Sequence, residues 1–83
     1  MKVTVKYFAS IREAVGLARE SVTTDSATLA ALRDELIGRG GPYADSLARG
    51  RSVRLAVDQV MCDEATLLVE GAEVAFFPPV TGG

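Results

Sequence analysis

The stretch EVAFFPPVTGG, residues 73–83, decides the reading of this chain. Gly71 marks a turn just before it. Glu73-Val74-Ala75-Phe76-Phe77 then reads as a strand rich in aromatic and β-branched residues. Pro78 has no N–H to give to a ladder, so the strand stops at Phe77. The Pro78-Pro79 step leaves the sheet extended, because each ring fixes φ and restricts the residue before it. The reading is a folded unit over residues 1–77 and an extended tail over residues 78–83. Six residues from Pro78 reach about 20 Å when extended. Gly82 and Gly83, without Cβ atoms, suit a channel too narrow for a side chain.

Upstream, Val3, Val5 and Tyr7 alternate with Lys2, Thr4 and Lys6, which predicts a first strand with one buried face. Ala9 to Gly16 has the size of a turn-like connection with one short helical turn. Arg19–Thr24 reads as a second strand that forms a hairpin with the first. At Leu29 the period changes. Leu29, Leu32, Leu36 and Ile37 make one stripe of a helix, with Thr28 or Ser26 as the N-cap. Gly38-Arg39-Gly40-Gly41-Pro42 ends it, and Pro42–Gly50 reads as a polar connection containing a short turn. Val53, Leu55 and Val57 alternate in a third strand that ends at Asp58-Gln59. Val60-Met61-Cys62 is a short fourth.

The order β-β-α-β-β-β predicts an α+β fold. One main helix covers one face of a mixed sheet of four to five strands. The first and last strands lie parallel in the middle, with the helix as their crossover. That is the β-grasp, or ubiquitin-like, arrangement. Phe76 and Phe77 must point to opposite faces of the sheet. Val74 and Phe76 are expected in the core, with Phe77 exposed beside the tail.

Composition excludes several chemistries. With 83 residues there is material for one domain. There is no histidine and one cysteine, Cys62, so no Cys/His metal cluster and no Cys-His nucleophile pair is available. One cysteine also fits a reducing cytoplasm. A net charge of −2 and a pI near 5.0 argue against a nucleic-acid partner. Arg49, Arg51 and Arg54 read as solvated charges, as do the adjacent acids Asp34-Glu35 and Asp63-Glu64. Cys62 reads as a small hydrophobe. No apolar run is long enough to span a membrane. With no self-contained catalytic side chains, the reactive group is expected to be the α-carboxylate of Gly83.

The ending GAEVAFFPPVTGG, residues 71–83, resembles that of the small subunit of molybdopterin synthase, the MoaD sulfur-carrier family. YFASIREAVG, residues 7–16, is similar to that family's Phe-Ala-x-x-Arg-Glu-x-x-Gly pattern. Asp58 stands where the family usually has asparagine, and Ala72 where it has aspartate. The resemblance implies a cytoplasmic carrier in molybdenum cofactor biosynthesis. A MoeB-like, E1-like adenylyltransferase would use ATP to adenylate Gly83, and a sulfur donor would convert it to a thiocarboxylate. The tail would then enter a MoaE-like large subunit and give its sulfur to cyclic pyranopterin monophosphate. The chain itself would bind no cofactor and no metal. Gly82 and Gly83 would carry the chemistry, and Phe77, Pro78, Pro79, Val80 and Thr81 would bind the partner. Three other functions fit the same pattern less well: the sulfur carrier of thiamine thiazole synthesis, a ubiquitin-like protein modifier, and a β-grasp interaction module without chemistry.

Overall fold

The computed structural model describes residues 1–79. Its order is β1 (Lys2–Tyr7), α1 (Ala9–Val15), β2 (Arg19–Thr23), α2 (Leu29–Ile37), α3 (Gly41–Leu47), β3 (Arg54–Val57), β4 (Val60–Cys62) and β5 (Glu73–Phe77). The five strands form one mixed sheet in the order β2-β1-β5-β3-β4. β1 and β2 are antiparallel neighbours, and β1 pairs parallel with β5, Tyr7 opposite Phe76. β5 is flanked on its other side by antiparallel β3, Arg54 opposite Phe77. The expected central parallel pair is therefore present, and β5 delivers Pro78 from the middle of the sheet.

One face of the sheet is sealed. Val3, Val5, Tyr7, Val22, Leu55, Val74 and Phe76 pack in one core with Ile11 of α1, Leu29, Leu32 and Leu36 of α2, and Leu47 of α3. Val74 and Phe76 are fully buried, as their alternation with Ala75 and Phe77 predicted. Thr28 caps α2, its hydroxyl oxygen accepting from the Ala31 N–H at 3.2 Å. Asp58 and Gln59 form the two-residue turn between β3 and β4, both at positive φ (50° and 70°), as primed hairpin turns require. The Asp58 carboxylate accepts from the Glu73 N–H at 3.0 Å, tying this turn to the start of β5. Ala72 is buried.

Two expectations need correction. The connections after β1 and after α2 are not simple turns but helices of seven residues each. α1 closes at Gly16, whose φ of 84° is the left-handed geometry of a helix C-cap. The polar link contains α3, begun by a proline in its first turn. Helices this short are not stable alone; Ile11 and Leu47 hold them on the core.

The second correction concerns the acids. Asp34 and Glu64 are not merely solvated: Arg49 pairs with both, and Arg33 reaches Glu64 at 3.3 Å. Glu35 accepts from the hydroxyls of Thr24 and Ser26. By the same contacts Arg49 is an ion-pair centre rather than part of a free charge run.

Arg33, on α2, is buried by the fold. Its guanidinium donates to the carbonyls of Leu47 (2.8 Å), Ala48 (2.9 Å) and Arg51 (3.3 Å). It supplies a charged donor to the Leu47 carbonyl at the end of α3 and a second donor to the Ala48 and Arg51 carbonyls, which also accept from the N–H groups of Arg51 and Val53. Among the described residues no helix is long and apolar enough to cross a membrane.

Candidate functional site

The site begins where β5 ends. Phe77 is the last strand residue, half-buried on the face of the sheet that no helix covers. Phe8 follows the last residue of β1, so the parity that buries Tyr7 turns Phe8 outward. The Phe8 N–H donates to the Phe76 carbonyl at 3.2 Å, which fixes the register. The two outward rings then stack, with centroids 4.5 Å apart and planes 12° from parallel. Ala9 turns the chain into α1 at a φ of 49°. That left-handed geometry costs a residue with a Cβ about 1 kcal/mol. Strain of this kind tends to sit at functional surfaces.

Around the stacked pair lies a shallow apolar hollow lined by Phe8, Ala9, Met61, Phe77, Pro78 and Pro79, with Arg54 at its margin. Met61, on β4, is half exposed. Lys6 and Glu73 form an ion pair of 3.2 Å on the same face. On the helix side, Pro78 and Pro79 also line a second hollow with Ser10, Ile11 and Ala14 of α1, Asp45 and Ser46 of α3, and Arg51 and Val53 before β3. The Pro78-Pro79 step is thus a ridge between two depressions.

Behind the site sits a polar clamp. Glu20 of β2 accepts from the hydroxyls of Tyr7 (2.8 Å) and Tyr43 (2.7 Å) and from the Arg39 guanidinium (2.9 Å). Burial opposes ionisation of Glu20, but the hydrogen bonds from Tyr43, Arg39 and Tyr7 outweigh it and hold the carboxyl below its ordinary range. Burial first, and then the bond to Glu20, push the Tyr7 hydroxyl far above its ordinary value. Tyr7 stacks on Phe76 at 6.2 Å, so the clamp braces the strand that carries Phe77.

Phe77, Pro78 and Pro79 of the expected partner surface are brought together here. Val80, Thr81, Gly82 and Gly83 lie outside the described residues. Phe8, Ala9, Arg54 and Met61 were not singled out for this site from sequence. Strand parity was the signal for Phe8, since it follows an in-facing Tyr7. Cys62 is half-buried against the core. No group of acidic and cysteine side chains among the described residues is arranged to hold a metal ion. What the arrangement offers among the described residues is a strand that exits from the middle of the sheet and an apolar hollow beside it.

A family model described as the ThiS family matches residues 5–83, which includes all of this site. The chain belongs to the ThiS family. Among curated proteins, this ThiS-family chain is 40% identical over 81 residues to the molybdopterin synthase sulfur carrier subunit of Escherichia coli K12, covering 98% of this chain and 99% of that one. It is 36% identical over 81 residues to the protein of the same name from Haemophilus influenzae, with the same coverage. The resemblance to molybdopterin synthase small subunits is thereby borne out.

Among solved structures, SAMP1 from Haloferax volcanii superimposes with a TM-score of 0.80 at 27% identity, over 100% of both chains. A complex of subunits 1 and 2 of the molybdopterin-converting factor from Helicobacter pylori matches with a TM-score of 0.71 at 25% identity, again over 100% of both chains. The ubiquitin-like β-grasp assignment agrees with these neighbours.

Proposed function

We propose that this chain is the sulfur-carrier small subunit of a molybdopterin synthase. The observation that carries the proposal is identity of 36–40% to three sulfur carrier subunits over nearly the whole chain. The family match extends through Gly82 and Gly83. The fold supports it by what it supplies: a central strand that aims Pro78 outward and an apolar hollow that suits a partner.

The chemistry falls on the α-carboxylate of Gly83. A carboxylate oxygen attacks the α-phosphorus of ATP on an E1-like enzyme, and pyrophosphate leaves. Hydrosulfide-level sulfur attacks the acyl-adenylate and AMP leaves, giving the thiocarboxylate; where a donor persulfide delivers the sulfur, the acyl disulfide formed is cleaved by a thiol reductant, which releases the donor as its thiol. The tail then enters the large subunit, where the sulfur passes to cyclic pyranopterin monophosphate, and two such transfers build the dithiolene. ATP belongs to the activating partner. The role of residues 1–77 is to dock and that of residues 78–83 is to reach. In this reading Phe77, Pro78, Pro79, Val80 and Thr81 contact the large subunit; the Helicobacter pylori relative, a complex of subunits 1 and 2, supports a large-subunit partner.

Protein modification is the second reading, and likeness to SAMP1 favours it. It shares the first step and differs in the nucleophile, a lysine amine in place of sulfur. The identity to the curated carriers ranks it below sulfur transfer.

Intact mass spectrometry after incubation with the activating enzyme, ATP and a sulfur source tests the proposal. The mass should rise by one oxygen-to-sulfur exchange, mapped to Gly83. Deleting Gly83 should leave the melting temperature unchanged and abolish the exchange. Sulfur on Cys62 instead, or a working truncated chain, would overturn the mechanism.

A further inference from the structure

The open face of the sheet carries a charge opposite to that of the whole chain. Strand parity puts Lys2, Lys6, Arg19, Arg54 and Glu73 on the face that no helix covers. Four cations and one acid give that face +3, whereas the chain totals −2, so the remaining side chains carry −5. The segregation is sharpest near the tail. Lys6 lies opposite Arg19 and Ala75, Arg54 opposite Phe77, and the single acid, Glu73, is bound to Lys6 at 3.2 Å. The acids nearest the face gather at its far end. Glu70 accepts from the Lys2 N–H, and Asp58 from the Glu73 N–H.

Arg54 differs from three arginines of the helix side, although Arg12 and Arg51 there also lack a carboxylate partner among the described residues. Arg33, Arg39 and Arg49 each hold a carboxylate. Arg54 is exposed and has no ion-pair or hydrogen-bond partner among the described residues, and the same is true of Arg19. Asp63 and Glu64 line the hollow on the other side of Arg54, but Glu64 is taken by Arg33 and Arg49, and Asp63 accepts from the Ala65 N–H. Arg54 therefore presents a free guanidinium at the margin of the aromatic hollow.

We propose that Arg54 and Arg19 make the open face an electrostatic guide for an acidic protein surface, one that presents carboxylates around an apolar socket for Phe8, Phe77 and Met61. This rests on the reading of the chain as a docking carrier. An apolar centre with charges at its rim is the anatomy of a protein–protein interface. Charges at a rim mainly set the association rate and the choice of partner. Two isolated arginines flanking stacked aromatic rings fit paired carboxylates better than a nucleic-acid backbone, which calls for a continuous basic stripe. The net −5 of the remaining side chains, Glu70 and Asp58 at the far end of the open face among them, would repel the same acidic surface, so encounters are biased toward the tail end of the open face.

The test is stopped-flow association with the large subunit of molybdopterin synthase from the same organism, measured across ionic strength. Association of the unaltered chain should slow as salt rises. The Arg19→Glu/Arg54→Glu double variant should associate at least about tenfold more slowly at low salt. The two rates should converge near 0.5 M salt, where the screening length falls to roughly 4–5 Å. Lys2→Glu reverses one charge of the same face, where the double variant reverses two, about 13 Å down β1, and should stay close to the unaltered chain, well short of half the double variant's effect. Arg54→Gln, which removes charge without reversing it, guards against misfolding and should give an intermediate rate. A salt-insensitive rate, or a double variant no slower than Lys2→Glu, overturns the inference and leaves the carrier function standing. An unaltered chain that does not bind the large subunit at all overturns both.

Discussion

Replacing Phe76 and Phe77 by alanine, one at a time, separates the fold from the docking surface. The two residues are adjacent in β5, yet Phe76 is fully buried and Phe77 is half-buried on the open face. Phe76→Ala removes a ring from the centre of the core, at about 3–5 kcal/mol. It also removes the stack on Tyr7 at 6.2 Å, which places the cost in the upper part of that range. A domain of this size holds roughly 4–12 kcal/mol in total, so the variant should melt at least about 15 °C lower or fail to fold. Phe77→Ala loses the stack on Phe8 at 4.5 Å and part of one exposed ring, worth about 1 kcal/mol. Its effect should appear in binding. Truncating an aromatic anchor at an interface costs about 1–3 kcal/mol, a 5- to 150-fold weaker affinity for the large subunit. Thermal melts and calorimetric titration measure the two quantities independently. The reasoning fails if Phe77→Ala costs more than about 3 kcal/mol of stability, if Phe76→Ala costs less than about 1, or if Phe77→Ala binds normally.

Arg33→Met should destabilise the domain by about 2–4 kcal/mol in urea titrations, because the carbonyls of Leu47, Ala48 and Arg51 lose a charged donor and the Leu47 carbonyl keeps no other side-chain partner. Glu20, with its carboxyl held low, stabilises the fold at pH values above its unfolded pKa, and that contribution is lost as pH falls through the lower folded value. Stability should therefore decline with acid below about pH 4.5, and Glu20→Gln should flatten that part of the pH profile while lowering the plateau. Tyr7 has the opposite sign: its raised value stabilises the fold below about pH 10, and melts should weaken above that pH unless Tyr7 is changed to Phe. Asp58→Ala should cost about 1–2 kcal/mol through loss of the bond to the Glu73 N–H, whereas Asp58→Asn, which keeps the acceptor and suits positive φ, should cost almost nothing in a thermal melt.

The parts legible in the sequence were those governed by short-range periodicity. Val3-Val5-Tyr7, Val74-Phe76 and the Leu29-Leu32-Leu36 stripe each announce a buried face. Pro78 and Gly16 announce ends. α1 and α3 were hidden because seven residues give barely two turns of pattern, and because Ser10, Gly41 and Pro42 look like turn residues. Their helicity is imposed by Ile11 and Leu47 reaching the core. The Glu20 clamp was illegible for a different reason. Its members lie at 7, 20, 39 and 43, on separate segments that only the tertiary fold brings within hydrogen-bond distance. Arg33 follows the same logic, since nothing local distinguishes a buried arginine from a solvated one. Of the site, the Phe77-Pro78 half was visible in the last strand, while Met61 and Arg54 joined it through sheet order.

The stack between Phe8 and Phe77 has a consequence for the newly made chain. These rings come from residues 69 positions apart, joined by the parallel pairing of β1 with β5. Closing so long a loop is among the slow steps of folding, and parallel pairing across it comes late. A nascent chain that has emerged only as far as β4 has Phe8 but no Phe77, and so no recognisable face. A partner that grips the stacked rings accordingly samples only finished molecules, with no separate inspection step.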